Sequence, residues 1–224
     1  MLTFFSKYKF FWITFSILSI IIVSIIYSLL KPKRVLPIYQ PSQVNSEMVD
    51  TTIQYKKKYH TIANFSLTNQ NGKTITQDNY KDKIYVADFF FTTCQTICPI
   101  MTKNMYEVQK RTISDNDIML LSHTVTPEID TVAQLKRYAD EKGVNASKWN
   151  LVTGDKKQIY ELARKSYLAV KDNGDGGPFD MIHTENFILI DKSRQIRGFY
   201  DGTDPEEIDR LMEDIKILEA SYKD

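Results

Sequence analysis

Apolar side chains are concentrated first in one stretch near the amino terminus. Residues 10–30 are 21 consecutive positions without a charge, and about 20 such residues form a helix long enough to cross the core of a bilayer. Lys-Pro-Lys-Arg follows directly, where a cleaved signal peptide would have a small-residue cleavage site. We therefore predict a retained transmembrane anchor over residues 10–30, preceded by a short tail, residues 1–9.

Beyond the anchor the apolar periodicity disappears. Residues 31–58 combine three prolines with scattered Gln, Ser and Asn, which is typical of an extended tether. The folded domain is predicted to cover residues 59–224. At its entrance, His60 is expected to be exposed.

Within this domain, the pattern alternates between the periods of strands and helices. Alternating residues around Asn71 and Gly72 predict a β-hairpin. Apolar runs predict buried strands at 84–91 and 117–125, a short strand at 149–153, and a second hairpin at 187–200. Helices are predicted between these strands and after Asp204, and the glycine-rich residues 171–180 are predicted to form a flexible flap. The sequence therefore predicts an α/β fold with parallel strands, followed by a hairpin and a terminal helix.

The chain contains only two cysteines, Cys94 and Cys98, and they follow the strand predicted at 84–91. Pro99 fits only in the first turn of a helix, so a helix is predicted to begin near Ile97. The positive end of its dipole stabilises a thiolate there. The i, i+4 spacing brings both thiols to one face, where they can form a disulfide or hold one metal ion. A role as small apolar residues is the simpler alternative, but the helix-start proline makes it less favoured.

Composition and charge narrow the function further. The net charge is +1 and no basic face stands out, so no nucleic-acid partner is expected. Two cysteines cannot form a disulfide scaffold, and no further cysteine or closely spaced histidine pair indicates a structural zinc site.

Four segments occur in an order that carries a family resemblance. They are Phe-Phe-Phe-Thr-Thr-Cys-Gln-Thr-Ile-Cys-Pro at 89–99, Thr-Val-Thr-Pro-Glu-Ile-Asp-Thr at 124–131, Trp-Asn-Leu-Val-Thr-Gly at 149–154, and Ile-His-Thr-Glu-Asn-Phe-Ile-Leu-Ile-Asp at 182–191. Together they resemble the SCO/SenC family, membrane-anchored, thioredoxin-like copper proteins that assist the assembly of cytochrome c oxidase.

The resemblance implies a thioredoxin-like fold with an N-terminal β-hairpin extension, preceded by a single transmembrane helix. It also implies that copper, as Cu(I) or Cu(II), is bound by Cys94, Cys98 and His183. Thiolates are soft ligands that suit Cu(I), and an added imidazole allows Cu(II) to bind as well. The implied function is that of a metallochaperone that delivers copper to the binuclear copper site of the oxidase.

The expected partners follow from the same resemblance. They are the copper-site subunit of cytochrome c oxidase, other copper chaperones or thiol reductants, and the membrane. The domain is expected to be extracytoplasmic, on the periplasmic side of the inner membrane, because a disulfide-capable cysteine pair fits an oxidising compartment.

A second function uses the same cysteines. As a catalytic redox pair that forms a disulfide, Cys94 and Cys98 would make the protein a thiol–disulfide oxidoreductase that keeps the copper-ligand cysteines of the oxidase reduced. A thiol peroxidase is less favoured, because the residue pattern around a peroxidatic cysteine is absent.

Three further residues have open roles. His123 ends the second strand and either approaches the site or serves as a polar cap. Thr126 stands where many SCO/SenC members carry an aspartate, which leaves the charge at the site open. Asp130 is expected to be a capping or surface residue.

Overall fold

The computed structural model describes residues 8–30, 34–44, 49, 52–170, 182 and 184–223. The chain divides into two compact units, Met1–Val35 and Leu36–Asp224. The first contains helix α1 (Lys9–Leu30), of which Lys9–Tyr27 is long and apolar enough to cross a membrane. This helix is a candidate membrane span at the position that the sequence predicted.

The second unit contains seven strands and four α-helices in its described residues. The strands are β1 (Ser66–Asn69), β2 (Thr74–Thr76), β3 (Ile84–Phe90), β4 (Ile118–Thr124), β5 (Trp149–Thr153), β6 (Asn186–Ile190) and β7 (Ile196–Asp201). The helices are α2 (Cys98–Thr112), α3 (Val132–Lys142), α4 (Lys156–Glu161) and α5 (Pro205–Ala220). Short 3-10 helices cover Pro41–Gln43 and Gln77–Tyr80, and a π-helical turn, Leu162–Ser166, follows α4.

All seven strands form one sheet in the order β2-β1-β5-β4-β3-β6-β7. Strands β3, β4 and β5 are parallel, whereas the hairpins β1–β2 and β6–β7 add antiparallel strands on either side. This is the predicted α/β arrangement, including the N-terminal hairpin. Gly72 has a φ of 72° in the tight turn of that hairpin, a conformation that glycine adopts without steric cost.

Local signals mark the ends of three helices of this unit. The side chain of Asp155 accepts the N–H of Gln158 at the start of α4, and Asp204 accepts the N–H of Glu206 at the start of α5. Gly143 ends α3 in the left-handed conformation, with a φ of 71°. These caps satisfy backbone groups that the helix itself leaves without partners.

The sheet is covered on both faces. All seven residues of β3 are buried, and alternate residues point to opposite faces of the sheet. Val86 packs in the hydrophobic core cluster under α2 and α5. Ala87 packs in the second core cluster, under α4 and the π-helical turn. A parallel strand buried on both faces carries an almost unbroken apolar sequence. This is why the run at 84–91 was recognisable as a central strand.

Part of the predicted tether packs on the domain instead of extending from it. Leu36, Gln40 and Pro41 are buried, and Val49 is fully buried. The N–H of Tyr39 donates to the carbonyl of Ile196 on the edge strand β7, at 2.9 Å. The packed segment after Leu36, residues 36–44, therefore belongs to the folded unit.

His60 is also buried, contrary to the expectation of exposure. Its Nε2 lies 2.7 Å from the carbonyl oxygen of Ser166, and burial is the main cause that lowers the pKa of its imidazole. The sequence around His60 is polar, so only the packing of this segment against the π-helical turn could reveal its burial.

We expect Arg197→Met to destabilise the domain by about 2–4 kcal/mol in urea unfolding. Arg197 donates to the carbonyls of Leu36 and Pro37, at 2.6 and 2.9 Å, and pairs with the buried Asp191 at 2.9 Å. Methionine keeps the apolar stem but loses all three contacts. The variant should also become sensitive to proteolysis within residues 34–44.

Arg111→Met is the matched control. Its ion pair with Asp209, at 2.6 Å, is solvent-exposed, so its loss should cost less than about 1 kcal/mol. Equal losses in the two variants would show that Arg197 does not hold the N-terminal segment.

Candidate metal centre

Both cysteines lie where β3 leads into α2. Strand β3 ends at Phe90 and α2 begins at Cys98, with Pro99 in the first turn. The N–H of Cys94 donates to the carbonyl of Phe91 at 3.3 Å, and the N–H of Cys98 donates to Sγ of Cys94 at 3.4 Å. The predicted helix start is therefore correct, and it directs a backbone donor at the first sulfur.

The environments of the two thiols differ. Cys94 is partly exposed, and its limited burial raises the pKa of its thiol. Hydrogen bonds from the Cys98 thiol, from the N–H groups of Cys98 and Thr96 and from the Thr96 hydroxyl outweigh this effect. Together they lower the pKa of Cys94 to about 7. Cys98 is only 3% exposed. Its burial, together with the nearby Cys94 and Asp88, raises its pKa to about 12. Near neutral pH the first sulfur is thus available as a thiolate while the second retains its proton.

Asp88 is an additional acidic group that the sequence interpretation missed. Its side chain is 2% exposed and lies on the α2 face of β3, and Oδ1 has no hydrogen-bond partner among the described residues. Burial raises its pKa to about 7, although a hydrogen bond with Ser122 opposes the shift. A charged residue inside the apolar run at 84–91 was the available signal.

Asp130 is not the capping or surface residue that was expected. It is 0% exposed, and its carboxyl accepts hydrogen bonds from Thr92, next to the cysteine loop, and from Thr124 and Thr126, at the end of β4. Thr126 thus contributes a hydroxyl to this network.

His123 does not join the thiols. It pairs with Phe89 across β3 and β4 and stacks on the ring of Phe89 at 4.8 Å, in the core cluster on the face opposite α2. Its Nδ1 lies 3.3 Å from the backbone carbonyl of Asp88, and Nε2 has no partner within the described parts of the chain. Burial lowers its pKa to about 4, which keeps the imidazole neutral.

The predicted ligand His183 and the predicted flap, residues 171–180, lie outside the described residues. Ile182 and Thr184 are buried. Strand β6 follows from Asn186 and runs antiparallel to β3, so its first residues lie at the edge of the sheet where β3 ends. Among the described residues, no group of three metal-ligating side chains forms around the cysteines.

Fold and site together define an α/β protein with a dithiol at the start of a helix, and the comparisons place it among known proteins. A family model described as SCO1/SenC matches residues 53–218. The SCO1 protein homolog of Bacillus subtilis is 33% identical over 154 residues, which are 68% of this chain and 79% of that protein. The chain therefore belongs to the SCO1/SenC family.

Solved structures agree with the fold. A SCO1/SenC family lipoprotein from Bacillus anthracis is 32% identical, with a TM-score of 0.63 over 71% of this chain and 95% of that one. BsSco is described as a member of the Sco family of cytochrome c oxidase assembly proteins that contains a disulfide switch. It is 32% identical, with a TM-score of 0.60 over 71% of this chain and 93% of that one. Bradyrhizobium japonicum ScoI with copper bound is 26% identical, with a TM-score of 0.54 over 69% and 99%. The thioredoxin-like fold is thereby confirmed.

We expect the alkylation of Cys94 by iodoacetamide to accelerate with rising pH, with a midpoint near its pKa of about 7. Only the thiolate is the nucleophile, so the rate rises as the proton leaves. Mass spectrometry of tryptic peptides measures it. In Cys94→Ser, the remaining Cys98 should react slowly up to pH 9, because it is buried and its pKa is about 12; equal reactivity of the two sulfurs would contradict the asymmetry.

Asp88→Asn should stabilise the domain, and more at pH 8 than at pH 5. The carboxyl has its pKa raised from 3.8 to about 7 in the folded state, so the stability it contributes is complete below pH 3.8 and is lost as the pH rises through about 7. The difference between the two pH values should be about 2–3 kcal/mol in urea unfolding. A pH-independent difference would show that Asp88 titrates normally.

Proposed function

We propose that this protein is a membrane-anchored copper metallochaperone that assists the assembly of the binuclear copper site of cytochrome c oxidase. The observation that carries the proposal is the pair of free thiols at one helix start, with the N–H of Cys98 3.4 Å from Sγ of Cys94. The family, the copper-bound ScoI relative and the description of BsSco as an oxidase assembly protein support it.

Copper is the cargo in this proposal, and Cys94, Cys98 and His183 are its ligands. Two thiolates are a donor set that suits Cu(I). The start of β6 at the edge where β3 ends supports His183 as the third ligand, since residue 183 precedes this strand by only a few positions. Cys98 gives up its proton when it binds the metal, so binding is expected to strengthen as the pH rises.

The partial exposure of Cys94 suits transfer of the cargo. An incoming ligand from the oxidase subunit, or from another copper chaperone that supplies the metal, reaches the exposed sulfur first. Cys98 lies behind it in the core. Copper can then pass by stepwise ligand exchange, without unfolding of the domain.

The candidate span in α1 is proposed as the anchor, and the domain is proposed to lie on the periplasmic side of the inner membrane. A relative described as a lipoprotein supports attachment to a membrane, although a lipid and a helix are different anchors. Two cysteines that can form a disulfide fit an oxidising compartment.

Thiol–disulfide exchange is the second candidate function, favoured by the asymmetry of the two thiols. The Cys94 thiolate attacks a disulfide of the oxidase subunit and forms a mixed disulfide, and one partner sulfur leaves as thiolate. Cys98, after losing its proton, then attacks Cys94, which releases the second partner sulfur and leaves a Cys94–Cys98 disulfide. Two electrons pass to the partner, and an external thiol reductant restores the pair.

Copper titration of the full chain in detergent, under anaerobic and reducing conditions, tests the first candidate. We expect one Cu(I) per chain. Titrated anaerobically with Cu(II) after the reductant has been removed, His183→Ala should bind Cu(II) more than about tenfold more weakly than the wild type, because it lacks a ligand, while the reduction potential of the cysteine pair should change far less.

His60→Gln is the matched control, since it removes a histidine outside the site but keeps a donor for the carbonyl of Ser166. It should bind copper like the wild type. A stoichiometry near zero in the wild type would reject the chaperone, and unchanged Cu(II) binding in His183→Ala would exclude His183 and favour the oxidoreductase.

A further inference from the structure

The buried carboxyl of Asp130 connects the two strand ends that border the thiol site. From the cysteine side, the N–H and hydroxyl of Thr92 donate to it at 3.1 and 2.5 Å. From the end of β4, the hydroxyls of Thr124 and Thr126 donate to it at 2.5 and 3.1 Å. Four hydrogen bonds from two separate segments thus converge on one side chain that is 0% exposed.

This carboxyl is not needed to cap α3. Thr131 is the N-cap residue, and its side chain accepts the N–H of Gln134 at 3.3 Å. Asp130 is instead fixed in its own loop by its N–H, which donates to the carbonyl of Thr126 at 2.8 Å. Burying an acidic side chain is costly unless hydrogen bonds compensate, so its position needs an explanation other than helix capping.

Thr92 is held on two sides. Its hydroxyl donates to Asp130 and accepts from Nε2 of Gln134 at 3.0 Å. Cys94 follows only two residues later and turns back on Phe91 through its own N–H. The starting point of the cysteine loop is therefore tied to the loop before α3, whereas its end is tied to α2.

We propose that Asp130 is a positioning residue for the dithiol. Its carboxyl fixes Thr92, and Thr92 in turn fixes the placement of Cys94 relative to Cys98. The effect of this positioning on copper binding rests on the proposed function. Its effect on the equilibrium between the dithiol and the disulfide does not. With Thr92 released, Cys94 loses its fixed relation to the N–H of Cys98, which stabilises the reduced sulfur. Copper binding weakens, and the equilibrium of the pair shifts toward the disulfide.

Thr92→Val and Thr126→Val, made in the full chain, test this. Both replace a hydroxyl donor to Asp130 by a methyl group of similar shape, but only the first touches the cysteine loop. The readouts are the Cu(I) affinity by competition with a chromophoric chelator, and the equilibrium in which the dithiol and oxidised glutathione give the disulfide and two reduced glutathiones. Unfolding in urea reports the general loss of stability of each variant.

In Thr92→Val we expect the Cu(I) affinity to fall about fivefold or more and the glutathione equilibrium to shift about fivefold toward the disulfide. Thr126→Val should shift either quantity less than about twofold, with a comparable loss of stability. Thr92→Ser keeps the hydroxyl and should restore wild-type values. Equal shifts in the two valine variants, no shift in either, or no restoration by serine would overturn the positioning role.

The Cu(I) affinity and the glutathione equilibrium test the chaperone function and the positioning role of Asp130 separately. If the wild type binds no copper, the chaperone function fails, and the glutathione arm still decides the role of Asp130. If the wild type binds copper while Thr92→Val behaves like Thr126→Val in both arms, the positioning role fails and the chaperone function stands.

Discussion

The site depends on the parallel pairing of β3 with β4. Ile84–Phe90 pairs with Ile118–Thr124 over its whole length, so both strands end at the same edge of the sheet. This brings the loop with Cys94 beside the loop with Asp130, although 36 positions separate them in the chain. The antiparallel strand β6 begins at that edge as well. Ligand sites of open α/β sheets lie at such carboxyl ends, because there several loops converge on one place.

The helix start and the core act on the two sulfurs in opposite directions. Hydrogen bonds from Cys98, in the first turn of α2, and from Thr96, just before it, lower the pKa of Cys94, whereas burial raises the pKa of Cys98. The cysteine loop and the first turn of α2 thereby present one reactive thiol, Cys94, and one protected thiol, Cys98. This asymmetry suits both ligand exchange and thiol–disulfide exchange, so the two candidate functions share their residues. Copper binding and the reduction potential of the cysteine pair, measured on the same variants, distinguish them.

Several polar groups are buried around this edge, and they differ in how well they are satisfied. The carboxyl of Asp130 accepts four hydrogen bonds, while Oδ1 of Asp88 and Nε2 of His123 lack partners among the described residues. Unsatisfied buried groups cost stability, so the strands below the site are less stable than an apolar core of the same shape. Asp130, in contrast, gives the adjoining loops a fixed arrangement, and the packed segment after Leu36 covers the edge strand β7.

The sequence by itself determined the strands, the hairpins, the helix caps and the cysteine pair at a helix start, because each depends on neighbours a few positions away. Apolar periodicity, Asn71 with Gly72, Asp204 with Pro205, and Cys98 with Pro99 are all local signals. Only the tertiary structure decided that Asp130 and His60 are buried, that His123 faces away from the thiols, and that the segment after Leu36 packs on the domain. Those outcomes depend on which distant segments meet across the sheet, and a polar residue carries no local signal of the partners that bury it.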